Sequence, residues 1–262
     1  MCCFSRPVES VSGTKLFARF VEPGLQALVY GMRFSADEDL AMVLPIPVAR
    51  GSGDDAVRFV DLSDYPAFFA DLDRAFPQET VLTLGGLPPV AAPQPFQTLE
   101  VHDVGDFEAS FAPSRADFSR LDRRFRLSDA VFDAMPQVAD FGFAVFKLKA
   151  TSKLFGLVPG RPAQIHPMAF VFPTRSLDRL FFPTLHVHDG RVHDEAAFDH
   201  TFYAQGGSNP DWRESEGPLG DYVRCEPHGL VDPRRPGQQR TLLGYHPNRD
   251  QWLEVGGAAP TA

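Results

Sequence analysis

Cysteine is scarce in this chain: three among 262 residues, two of them adjacent as Cys2 and Cys3. An odd, partly neighbouring set cannot build a disulfide framework and suits a reducing compartment. Runs of basic residues are missing too. With 25 Lys and Arg against 34 Asp and Glu the net charge is -9, so the chain lacks the cationic footprint that gripping a phosphate backbone requires, which excludes nucleic acid as a partner. No segment approaches the run of about 20 apolar residues that a membrane helix needs. The opening "MCCFSRPVESVSG" holds no apolar stretch of signal-peptide length. These absences read as a soluble, cytoplasmic protein with no membrane partner. No GxGxxG follows a strand, and GxxxxGK[ST], GxSxG and HExxH do not occur, so nucleotide cradles, serine elbows and helical zinc motifs have no support.

What the chain has in quantity is apolar surface, 44% hydrophobic residues, with 24 Phe and 24 Pro. Phenylalanine suits strand cores, while proline at this density cuts a chain into short elements joined by rigid turns. "TKLFARF", "LQALVYGMRF" and "LAMVLPIPV" follow one another across "EPG" and "SADED", the pattern of a three-stranded antiparallel meander. Pro45 and Pro47 place the third strand at an edge or at its end, and "VRFVDL" adds a fourth. In "SDYPAFFADLDRAFP", Phe68, Phe69, Leu72 and Phe76 share one helical face, with Ser63 or Asp64 as cap. "GGLPPVAAPQPF", Gly85 to Phe96, cannot continue helix or sheet and reads as a linker. Beyond it come two short helices, "SRADFSRLDRRF" and "SDAVFDAM", then the strands "DFGFAVFKLKA", "AQIHPMAFVFPT" and "RLFFPTLHVH". Long loops are expected from Gln205 to Arg240. The expectation is a β-rich α+β fold of mainly antiparallel sheets with a few short helices. Residues 1–84 form an amino-terminal meander plus helix, 85–96 the linker, 97–256 a second β-rich part and 257–262 a disordered tail.

"LHVHDGRVHDEAAFDH", Leu185 to His200, carries four of the eight histidines. Asp189-Gly190 is a strong two-residue hairpin signal. In that register His186 opposes His193 and His188 shares their face, while Leu185, Val187 and Val192 point the other way. Three imidazoles on one patch are a ligand set for zinc, copper or iron, with Thr184, Glu195, Asp199 and His200 near enough to complete a shell. Apolar residues alternating with polar ones are equally the mark of a hairpin whose histidines face water. His166, alternating with Met168 and Phe170, reads as a core histidine.

Removal of the initiator methionine would leave Cys2 amino-terminal, with its own α-amino group, pKa about 8, as a base for the thiol. "MCCFSRPVESVSGTKLFAR" resembles the opening of the cysteine-type amino-terminal nucleophile hydrolases, the bile-salt and penicillin V acylases. The resemblance implies Cys2 as nucleophile and Arg19 as the active-site arginine, and "SNPDW" places Asn209 at their asparagine-proline step. It also implies two sheets stacked between helical layers. Residues 2–48 resemble, in addition, a group of bacterial proteins of unknown function. Cys225 and His228 in "CEPHG" form one further Cys-x-x-His pair.

Three functions therefore fit the residues. The first is a cysteine-dependent amidohydrolase acting on a small amide or peptide through Cys2, Arg19 and Asn209. The second is a protein or enzyme holding zinc or another divalent transition metal through His186, His188 and His193. The third is a non-catalytic module that binds a partner through its long carboxy-terminal loops.

Overall fold

The computed structural model describes residues 3–76, 107–149, 163–207, 209–226 and 228–255. Cys2, the linker at 85–96 and the tail at 257–262 lie outside them. The strands are β1 (Cys3–Phe4), β2 (Ser10–Glu22), β3 (Leu25–Ser35), β4 (Leu40–Ile46), β5 (Arg58–Val60), β6 (Phe107–Ala112), β7 (Gly142–Leu148), β8 (Ala163–Gln164), β9 (Met168–Pro173), β10 (Arg179–Phe182), β11 (Glu195–Gln205), β12 (Arg213–Pro218), β13 (Pro236–Pro247) and β14 (Gln251–Glu254). Two short α-helices accompany them, α1 (Phe68–Asp73) and α2 (Asp129–Asp133). The fold is β-rich with mainly antiparallel pairing, as the sequence implies.

The strands form a large sheet in the order β12-β13-β11-β2-β3-β9-β5, a smaller one in the order β1-β4-β7-β6, and a β10-β14 pair. β2 and β3 make the expected hairpin, turning at Gly24, whose φ of 77° favours glycine. β2 pairs with β11 in parallel, so sequence-distant strands meet at the middle of the large sheet.

Alternation along β2 explains the layering. Leu16 and Ala18 face the smaller sheet, meeting Met42, Leu44 and Phe146. Phe17 points the opposite way, into a second core with Val29, Tyr203 and the α1 residues Phe68, Phe69 and Leu72. The far face of the smaller sheet carries a third core, in which Val43, Phe143 and Val145 pack on Phe118, Phe132 and Met135. Both sheets are thus covered on both faces, which is why strands such as "MAFVF" are continuously apolar.

The third meander strand departs from expectation. β4 leaves the β2–β3 hairpin and pairs with β1 and β7 in the smaller sheet, because all seven of its residues are buried and β3 already has β9 on its open side. Pro45 is tolerated since β1 reaches only Met42 and Val43, leaving no ladder on that side of Pro45 for its missing N–H. The "SRADFSRLDRRF" helix is instead two 3-10 turns, Arg115–Arg120 and Arg123–Phe125. Leu121 is extended between them, and the Asp122 carboxylate accepts from the Arg124 N–H, competing with helix continuation. Phe118 and Phe125 are nevertheless buried. Within the expected loop region, 213–218 and 236–240 are strand.

Candidate functional site

The histidine-rich segment is held by contacts on two sides. Its Asp-Gly turn does not close a two-residue hairpin: residues 188–191 form bends, Gly190 takes φ 78°, and the Asp189 carboxylate accepts from the Arg191 N–H. The partners of residues 184–188 come from elsewhere. On one side lies β1, with Cys3 bridging Val187 in parallel and the Phe4 N–H donating to the Val187 carbonyl at 3.0 Å. On the other side, side chains replace a strand. The Asn248 amide accepts from the His186 N–H at 2.7 Å and donates to the His186 and His193 carbonyls, each at 2.9 Å. One oxygen of Asp250 accepts the N–H groups of Thr184 and Leu185 at 2.8 and 3.0 Å.

This arrangement corrects the metal reading. His186 is buried and stacks between His188 (centroids 5.2 Å apart, planes at 15°) and His200 of β11 (5.3 Å, 23°), with Phe198 at 4.4 Å. Burial holds all three imidazoles neutral, pushing His188 down to about 4, His186 down to about 2 and His200 lower still. His193 does not join them; it is exposed and its Nε2 meets the Asp189 carboxylate at 2.9 Å. Among the described residues no group of three or more His, Cys, Asp or Glu is placed to hold a metal ion. Parallel stacking also turns ring edges alongside one another instead of converging lone pairs on one point. His166 is a core residue as expected, buried against Phe107 at 4.5 Å.

Of the residues assigned to amide hydrolysis, Cys2 lies outside the described residues, while Arg19 and Asn209 make structural hydrogen bonds. Cys3 is buried in β1, its thiol 3.8 Å from the Met135 sulfur. Arg19 of β2 spends its guanidinium on main-chain carbonyls, Leu230 at 2.7 Å, Gly229 at 2.9 Å and Phe20 at 3.4 Å. It thereby straps the 219–235 loops onto the second core. Asn209 accepts from the Asp211 N–H at 3.1 Å in a local turn. Cys225 lies against the Val223 carbonyl, where burial raises its thiol pKa, and His228 faces Asp64 at 3.2 Å. Cys3, Arg19, Asn209 and the Cys225–His228 pair are thus occupied separately, and form no nucleophile-base array.

Sequence reasoning missed Asn248 and Asp250, which sit in an ordinary polar turn, "PNRDQ". It also missed Asp73, whose carboxylate takes the Lys15 ammonium and the Tyr203 hydroxyl. Arg213 donates to the Phe76 carbonyl at 2.7 Å and to the Gln239 side chain at 2.6 Å, so α1 is fixed to the sheet at its carboxy-terminal end. The described residues bound two open depressions of about 600 and 670 Å³, one beside Arg175, Arg179 and Trp252 and the other beside Arg115, Arg126 and Phe132. No helix among them is long and apolar enough to cross a membrane.

No family model matches the chain, and no curated protein matches it significantly. Solved structures do. The crystal structure of baculovirus P35 superposes with a TM-score of 0.54 over 97% of this chain and 99% of that one, at 11% identity. A caspase-8/P35 complex (TM-score 0.45, 10% identity, 93% and 96% covered) and a mutated baculovirus P35 after caspase cleavage (0.46, 10%, 93% and 99%) are also similar. The first likeness shows the fold, end to end. It replaces the amidohydrolase reading: the chain is built on the P35 architecture, and its proposed catalytic residues within the described part serve that architecture. The expectation of a small-molecule or peptide partner falls with the amidohydrolase reading.

Proposed function

We propose that this chain is a protein-binding protein whose partner is a cysteine protease of the caspase class. The observation that carries the reading is the match to P35 over nearly the whole of both chains. P35 is a protein found in complex with caspase-8 and in a form cleaved by a caspase. Function follows from fold by analogy. Leu243 and Tyr245, two residues apart on β13, are 67% and 77% exposed. Arg19 and Asn209, of the candidate catalytic groups, are engaged in structural hydrogen bonds.

The test is association. The purified chain mixed with active caspase-8 is expected to co-elute with it on size exclusion, while a mixture with trypsin elutes as separate components. Separate elution from caspase-8 at micromolar concentrations overturns the proposal.

A further inference from the structure

The proposed function makes no use of the three stacked imidazoles, and their setting points to another role. Three imidazoles, of His188, His186 and His200, lie ring against ring here. Nε2 of His186 and of His188 has no hydrogen-bond partner among the described residues. The segment that carries them is held down by the side chains of Asn248 and Asp250 and by a two-residue strand. Such an element, lacking a ladder of its own, belongs to the least stable part of a fold. We infer that the His188–His186–His200 stack is an acid-operated latch: it keeps residues 184–188 and β1 seated while neutral, and releases them together when the rings take up protons.

The groups around the stack fix the proton count. Residues 184–189 supply His186, His188 and Asp189. β11 supplies His200 and Asp199, the latter 3.9 Å from the His200 ring. His246 of β13 lies behind Phe198. Asp189 is engaged by His193 on the exposed side. Asp250 is the one neighbour that opposes the latch. Burial raises its carboxyl to about 6 from 3.8, so it is protonated when closed at pH 5 and loses that proton on opening. An opened imidazole returns to a pKa of about 6.5, so at pH 5 each ring multiplies the open population about 30-fold and three multiply it about 3 × 10⁴-fold. Asp250 takes back about tenfold at the same pH. Opening in mild acid therefore takes up about two protons in the native chain and about three without Asp250.

Cys3, fully buried in β1, reports opening. In a Cys2→Ser/Cys225→Ser chain, Cys3 is labelled with 4,4′-dithiodipyridine between pH 4.5 and 5.5. Rates are normalised to the urea-unfolded chain, and Trp212 and Trp252 fluorescence verifies that the large sheet persists. The logarithm of the rate should rise by about two per pH unit fallen, by about three in Asp250→Asn, and by one fewer in His186→Phe than in its parent. His188→Phe, at the half-buried end of the stack, supplies the same count if His186→Phe does not fold. A rate independent of pH, a slope that neither histidine substitution alters, or labelling only in step with loss of tryptophan fluorescence overturns the latch.

Discussion

Asn248→Ala tests whether one side chain substitutes for a strand. The amide makes three hydrogen bonds to main chain, and its loss strands the N–H and the carbonyl of buried His186 together with the His193 carbonyl at the surface. An exposed carbonyl finds water, but each of the two buried groups left unpaired costs about 1–3 kcal/mol, so the substitution should destabilise by about 2–6 kcal/mol. Asn248→Asp keeps the acceptor for the His186 N–H but turns a carboxylate oxygen toward two carbonyls, and should rank with or below alanine. Urea unfolding followed by tryptophan fluorescence measures both. Trp252 packs edge-on to Phe181, and Trp212 lies against Phe182 and Phe202, so both report the assembled core. The expected result is a lower midpoint at unchanged m-value. A loss below about 1 kcal/mol would refute the reasoning, since it falls within the range of an ordinary exposed polar contact.

Asp250→Asn should behave in the opposite sense. A carboxyl whose folded pKa is raised to about 6 destabilises the fold increasingly as pH rises from 3.8 through 6. The amide variant should therefore be more stable than the native chain by about 1–3 kcal/mol at pH 7, with the gain gone below pH 4, as thermal unfolding across pH will show. Tyr203→Phe removes the hydroxyl bonded to Asp73 while leaving the Lys15 contact and the half-exposed carboxylate. A loss of about 1–2 kcal/mol in urea midpoint is expected, and no change would mean that water replaces the hydroxyl at no cost. His193→Ala should leave the melting temperature unchanged with or without zinc, because the ring sits at the surface on Asp189; a zinc-induced rise that this substitution abolishes would restore the hairpin metal site.

Much of the fold was legible because local pattern and final burial agree. The "EPG" turn gave the β2–β3 hairpin, the spacing of Phe68, Phe69, Leu72 and Phe76 gave the buried face beside α1, and alternation around His166 gave a core histidine. Where the reading failed, distant partners outweighed local preference. Asp189-Gly190 favours a hairpin, yet the segment before it is claimed by Cys3 and by Asn248, 184 and 61 residues from Val187. No short-range rule reaches that far. β4 likewise follows β3 in sequence but joins another sheet, its continuous burial being the only local hint. For the site, His186, His188 and His200 do come together, as neutral stacked rings and not as ligands. The roles of Arg19 and Asn209 as ties to main chain depend on loops whose courses composition does not encode.

The most direct test of the proposed protease binding is an equilibrium titration of fluorescently labelled caspase-8 with the folded chain. Saturable binding at micromolar concentrations is the predicted result. An unchanged signal at a hundredfold excess of folded chain would contradict it.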